Sequence, residues 1–162
     1  MLKIRTISGL NKVWINTKIK IYVFFYFFIK FLRGNLRFIE LVNTLRRLSF
    51  FLSKLQHNKF IKIGNQVKLD LYVPAFPSKA FFTACNKFAV FNEKLPCTTV
   101  LLSVTSACHY NCSHCYQKYD KGKNIDIDRL LEVVSILQNK GIAFFNIEGG
   151  EPFLAYDRLK KV

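Results

Sequence analysis

The last third of the chain predicts an α/β fold built on a parallel sheet. Three observations carry this expectation. Residues 98–105 (Thr-Thr-Val-Leu-Leu-Ser-Val-Thr) and 142–147 are apolar runs of strand length. Between them Ile127, Leu130, Leu131, Val134 and Leu137 recur at helical spacing. A further helix start, at Asp157, follows the second run. Strand, helix, strand, helix start is the order of parallel strands joined by crossover helices. Ahead of this α/β segment the sequence predicts a basic helical extension and then a β-hairpin.

The elements follow in order. Residues 21–29 are nine apolar residues in a row, Ile-Tyr-Val-Phe-Phe-Tyr-Phe-Phe-Ile, with Lys18 and Lys20 before and Lys30 and Arg33 after. A buried strand, a buried helix and an interfacial anchor all fit this run. Its aromatic and β-branched content favours a strand locally. Residues 35–56 predict a helix, because Leu41, Leu45, Leu48, Leu52 and Leu55 share one helical face. Arg46, Arg47 and Lys54 lie off that stripe, and a basic amphipathic helix can bind a membrane surface. Phe38, Phe50 and Phe51 widen the apolar side, which favours packing against the protein itself. Residues 61–73 alternate around Gly64-Asn65, which reads as a hairpin ended by Pro74 and Pro77. A short helix over 78–91 holds Phe81, Phe82, Cys85 and Phe88. Asp126 can cap the crossover helix, Asp128 suits its first turn, and Gly141 closes it. These elements divide the chain into an extension at 1–60, a hairpin and short helix at 61–97, and an α/β core at 98–162.

Composition excludes several classes. With 51% hydrophobic residues, 17 Phe and 7 Tyr among 162 residues, the chain is too apolar to be disordered. Seven Gly and four Pro exclude collagen-like and low-complexity chains. No apolar run reaches the ~18–20 residues of a spanning helix. The charge is lopsided. Residues 1–60 carry 12 Lys or Arg against one acid, Glu40, whereas 61–162 carry 13 against 9. The first third therefore suits anionic lipid, RNA or an acidic partner, or is a solvated surface over a helical core.

Five cysteines form an odd set, and three of them fall within eight residues as Cys108-x-x-x-Cys112-x-x-Cys115. That is no disulfide framework; clustered thiols indicate a soft metal site in a reducing compartment, hence the cytoplasm. Three thiolates can hold three irons of a 4Fe–4S cubane and leave the fourth open to a ligand. Zinc competes, with His109 or His114 completing a three-cysteine, one-histidine set. A second motif bears on the choice. Gly149-Gly150-Glu151-Pro152 leaves the end of the second strand, as the cysteine loop leaves the end of the first. Adjacent parallel strands aim both motifs at one pocket beyond their C-terminal ends. Read alone, Gly-Gly-Glu-Pro is a turn that closes a strand.

The two motifs together, in this order, with a helix and 33 residues between them, resemble the radical S-adenosylmethionine (radical SAM) superfamily. The resemblance covers about residues 98–162. It implies a partial TIM-type barrel, of which this stretch supplies the first two βα units. It implies that Cys108, Cys112 and Cys115 ligate a 4Fe–4S cluster whose open iron is chelated by the amino and carboxylate groups of S-adenosylmethionine. The reduced cluster then cleaves the sulfonium C–S bond, giving a 5′-deoxyadenosyl radical that abstracts hydrogen from a substrate. By position, Gly149, Gly150 and Glu151 border the amino group of S-adenosylmethionine. His114 stands where the family usually has an aromatic residue near the adenine. Tyr116 and the run Glu-Gly-Gly-Glu-Pro-Phe-Leu are similar to the branch that contains peptide maturases and molybdenum-cofactor enzymes.

The implied partners are S-adenosylmethionine, a substrate from peptide or cofactor maturation, and an electron-donor protein. A weak membrane-surface or anionic contact through 1–60 adds to them. Cys85 and Cys97 match no motif and read as buried thiols. A full barrel takes about 250 residues, so the 65 residues from 98 to 162 predict a fragment, a split-gene half or a truncated paralogue. The rival expectation is a zinc-binding interaction module whose basic extension contacts nucleic acid or a membrane surface.

Overall fold

A computed structural model describes residues 4–89, 99–117 and 123–162. Cys97 lies outside the described residues. The chain divides into two compact units, Met1–Thr98 and Thr99–Val162.

The first unit opens with strand β1 (Ile4–Ile7), followed by helices α1 (Gly9–Leu32) and α2 (Phe38–Leu55). Strands β2 (Phe60–Ile63) and β3 (Gln66–Lys68) and helix α3 (Lys79–Asn86) complete it. The sheet is antiparallel in the order β1-β2-β3, with Ile7 opposite Phe60 and Ile61 opposite Lys68. The predicted hairpin is present, and Gly64 takes φ +57° in its turn. β3 is shorter than the alternation suggested. Val67, within β3, exchanges two backbone hydrogen bonds with Phe76, at 2.6 and 2.8 Å, and the chain between Lys68 and Phe76 leaves the sheet.

The run 21–29 lies inside α1, so the local strand preference loses. A helix here buries Ile19, Val23 and Phe27 on one side against the rest of the unit. Tertiary burial of that face outweighs β-propensity, which is a weak local preference. The helix stops at a Schellman motif: the Gly34 amide donates to Phe31 O at 2.9 Å and the Asn35 amide to Lys30 O at 3.0 Å. Gly34 supplies the left-handed φ, +72°, that this ending needs.

Helix α2 turns its leucines inward. Leu41, Leu48, Leu52 and Leu55 are buried, and Leu45 packs partly against the same core. Phe60, Val67, Leu69, Phe76, Phe81 and Cys85 fill the other side. The helices of 1–60 and the hairpin and helix of 61–97 thus share one core. Burial pushes the Cys85 thiol up to about 12, so it stays neutral and inert, as a core residue should.

The second unit contains β4 (Thr99–Ser103), α4 (Ile127–Asn139) and β5 (Phe144–Glu148). A 3-10 turn (Pro152–Ala155) and α5 (Tyr156–Lys161) follow. β4 and β5 pair in parallel, from Thr99 opposite Phe144 to Ser103 opposite Glu148. Asp126 caps α4 by accepting from the amides of Asp128 at 2.9 Å and Arg129 at 3.3 Å. Those bonds, the Arg129 amide first, hold its carboxyl below the usual range. The cap's contribution is present above the ordinary Asp pKa and is lost as pH falls through the lowered one. Leu102, Val104 and Leu130 form a small core with Ile127, Val134 and Phe145 around it. The α/β expectation holds for this unit.

Two substitutions in α1 are expected to move stability in opposite directions. Phe27 is fully buried, so Phe27→Ala should cost ~3–5 kcal/mol. Asn16 is 6% exposed, and its Oδ1 has no hydrogen-bond partner among the described residues. Asn16→Leu removes that orphaned acceptor and should stabilise by ~1 kcal/mol or more. Denaturant midpoints of the first unit's transition, followed by circular dichroism, check both.

Candidate functional site

The second unit's geometry begins where its strands end. The β4–β5 ladder does not stop at Ser103 and Glu148. The Val104 amide donates to Glu148 O at 3.1 Å, the Gly150 amide to Thr105 O at 2.8 Å, and the Glu151 amide to Ala107 O at 2.8 Å. The chain leaving β4 and the chain leaving β5 therefore run side by side up to Cys108. This close approach demands glycine twice. A Cβ on Gly149 would lie 2.4 Å from Thr105 O, and Gly149 has φ +138°. A Cβ on Gly150 would lie 2.1 Å from Ala107 O and 2.9 Å from Cys108 Cβ. Each distance is far inside van der Waals contact, so only hydrogen fits there.

The root of the cysteine loop is pinned from other sides too. Thr105 is buried, and its hydroxyl accepts from the Ala107 amide at 3.1 Å. Asn124 Oδ1 accepts from the Ser106 amide at 2.8 Å. Arg158, on α5, donates through Nε to Val104 O at 3.0 Å and through Nη2 to Ile125 O at 2.6 Å. One guanidinium thus ties the end of β4 to the approach of α4. At the loop's far end the Tyr116 hydroxyl donates to Glu148 Oε2 at 2.5 Å. The residue after the third cysteine is thereby joined to the residue before the glycine pair.

The cysteines themselves sit on the solvent side of this frame. Cys108 and Cys112 are exposed, Cys115 is half-buried, and all three are free thiols. Cys108 Sγ accepts from the Tyr110 amide at 3.4 Å, and the Cys115 amide donates to Cys112 O at 3.3 Å. His109 lies against the Tyr110 ring, centroids 4.1 Å apart, and His114 is exposed at the loop's turn. Among the described residues no three His, Cys, Asp or Glu side chains gather into a metal-holding group. The structure therefore brings Gly149, Gly150 and Glu151 to the base of Cys108, and leaves the three sulfurs and His114 apart along the loop. Glu151 accepts from the Phe153 amide through Oε1 at 3.1 Å, which caps the 3-10 turn and orients the carboxylate.

Sequence reasoning missed Asn124, Arg158 and the Tyr116–Glu148 pair. Asn124 and Arg158 belong to no motif and act on backbone atoms far away in sequence, and nothing in the branch-like stretch announces that Tyr116 and Glu148 pair. An open groove of about 710 Å³ lies elsewhere, in the first unit, lined by Phe50, Phe51 and Phe88 with Arg47, Lys54 and Lys87.

Gly150→Ala should be felt at this junction above all. The added methyl forces apart the Glu151–Ala107 and Gly150–Thr105 bonds. A loss of ~1–3 kcal/mol or more in the second unit's stability is expected. Faster hydrogen exchange at the Glu151 amide, with the first unit's exchange unchanged, checks it.

Comparison with known proteins bears on the same stretch. Residues 102–162 match the family model described as the Radical SAM superfamily. Neither the curated proteins nor the solved structures give a match to the chain. The matched residues run from the middle of β4 through the cysteine loop, α4, β5 and the glycine pair to Val162. The stretch that the backbone ladder ties together is the stretch the family model covers, and over residues 102–162 the chain is similar to the radical SAM superfamily.

Proposed function

We propose that the second unit holds a 4Fe–4S cluster on Cys108, Cys112 and Cys115 and seats S-adenosylmethionine beside Gly149, Gly150 and Glu151. The observation that carries this reading is the pair of backbone bonds from Gly150 and Glu151 to Thr105 and Ala107. They put the glycine turn against the base of the first cysteine. The donor set suits the cluster: three free thiols on one eight-residue loop, two of them exposed, are soft ligands with an open approach. When bound, the cluster supplies the electron that cleaves S-adenosylmethionine and starts hydrogen abstraction from a substrate.

The chain's own residues then have distinct tasks. The cysteines hold the cluster. The side-chain-free edge at Gly149 and Gly150 lets backbone come close to a ligand. Glu151, fixed by the Phe153 amide, offers a carboxylate to an ammonium group. His114, exposed on the loop, takes the adenine in this reading. α4 covers one face of the strand pair through Leu130 and Val134, against Leu102, Val104 and Phe145. The alternate residues Leu101, Ser103, Asn146 and Glu148 occupy the opposite face. That mixed polar face is the one a partial TIM-type barrel turns inward, towards a substrate in peptide or cofactor maturation. The reading sets this chemistry in the reducing cytoplasm, where thiols stay free for a cluster and an electron-donor protein serves it.

Anaerobic reconstitution of the full chain with iron and sulfide tests the proposal. About four irons per chain are expected, with a broad charge-transfer absorbance in the blue. Replacing Cys108, Cys112 and Cys115 together by Ala should abolish it, and Cys85→Ala should not. Adding S-adenosylmethionine to the reduced protein should alter its paramagnetic resonance spectrum. Retention of zinc in place of iron, or a full cluster whose spectrum ignores S-adenosylmethionine, would sink the reading.

A further inference from the structure

Helix α1 is apolar on two sides, and only one of them is buried. Ile19, Val23 and Phe27 face the core. Round the other side run Leu10, Trp14, Ile21, Phe25 and Leu32, exposed by 87, 64, 48, 55 and 67%. At 100° per residue these five fall within a sector of about 60°, one stripe along a helix of 24 residues, about 36 Å long. Val13, Phe24 and Ile29 lie at its margins and are exposed as well. A continuous apolar surface of this length is unusual on a soluble unit and marks a contact site.

The charge around the stripe selects the occupant. The first unit holds 17 Lys and Arg against 3 Asp and Glu, a net +14, whereas residues 99–162 hold 8 against 7. Glu40, the one acid of residues 1–60, is already hydrogen-bonded to its neighbour Arg37. A second copy of the chain would bring another strongly positive unit against this face and be repelled. An RNA would meet the charge but leave the apolar stripe wet. An anionic lipid surface satisfies both, because acyl chains take the apolar stripe and headgroups take the cations. Lys18 fits the interfacial pattern in detail. Its Nζ lies 5.2 Å from the Trp14 ring and 5.8 Å from the Tyr22 ring, an ammonium held over aromatic faces at the edge of the stripe. No helix among the described residues is long and apolar enough to cross a membrane, so the contact is with its surface. We propose that the first unit docks on an anionic lipid surface through the outer face of α1, with Trp14 and Phe25 entering the interface.

The chain has a single tryptophan, Trp14, so the wild-type protein carries its own reporter. The full chain is mixed with vesicles of phosphatidylcholine alone, or of phosphatidylcholine with phosphatidylglycerol. Flotation with the anionic vesicles is expected, weakening about tenfold or more when ionic strength rises from ~0.1 to ~1 M. Trp14 emission should shift to the blue and be quenched by brominated acyl chains. Phe25→Glu should reduce vesicle partitioning about tenfold or more, while Ile63→Glu, on exposed β2, should leave it within about threefold. Circular dichroism confirms that both variants fold. Several results would overturn the proposal: no flotation with anionic vesicles; flotation with Trp14 emission unchanged; equal partitioning of Phe25→Glu and wild type; or a dimer that Phe25→Glu dissociates without any vesicle binding. Salt-sensitive RNA binding in place of vesicle binding would overturn it too.

Discussion

Two backbone hydrogen bonds organise the second unit: Gly150 to Thr105 and Glu151 to Ala107. They prolong a parallel strand pair past the point where strands normally part. Parallel strands end with loops that diverge into separate helices, and nothing in the sheet itself keeps those loops together. Here the loops stay in contact because one of them has no side chains in the way. The penalty for any Cβ at Gly149 or Gly150 is steric and falls on backbone atoms, which cannot rotate aside as a side chain can. The distance between the base of Cys108 and the glycine turn is therefore set by the main chain.

The remaining anchors build on that junction. Asn124 and Arg158 act on the loop's root and on the end of β4, and the Tyr116–Glu148 bond acts at its far end. Between these points the thiols are held by little more than a turn at Cys112–Cys115. Under the proposed function, the three sulfurs converge between these anchors, and the sheet is left as it is. Under the proposed function, metal binding and local ordering are one event, because ligand convergence and loop structure form together.

What was legible in the sequence follows from the range of the interactions involved. The βαβ order, the Asp126 cap and the Gly64-Asn65 hairpin rest on residues close in sequence, and all were readable. So was the approach of the cysteine loop to the glycine turn, since parallel pairing sends both strand ends the same way. The run 21–29 stayed open between strand, helix and anchor because its composition suits a strand locally, whereas its burial requires a helix. Residues that bury a face every third or fourth position can still be apolar in between, and then no periodicity shows. Gly34 was the available signal: a helix stop placed where a strand would need none. The leucine stripe of α2 packs inward, the reading favoured over a membrane face, and the exposed stripe belongs to α1. Arg158 and Asn124 left no trace because backbone carbonyls and amides accept any suitable donor or acceptor, and no motif announces them.

The separation of charge between the units has a chemical logic under the proposed function. S-adenosylmethionine carries a sulfonium and an ammonium against one carboxylate, so it is a net cation. A site embedded in the basic surface of the first unit would repel it. Residues 99–162 are close to neutral, and two of their carboxylates, Glu148 and Glu151, flank the glycine pair. Arg158, beside the end of β4, directs its guanidinium at two backbone carbonyls. Coulomb energies between groups a few ångströms apart fall steeply with distance and with solvent screening. Under the proposed function, a cationic ligand at the glycine pair is therefore attracted by the flanking carboxylates Glu148 and Glu151. The same chain can thus present a strongly positive face to an anionic surface and an acidic edge to a cationic cofactor. Each requirement is met within its own unit.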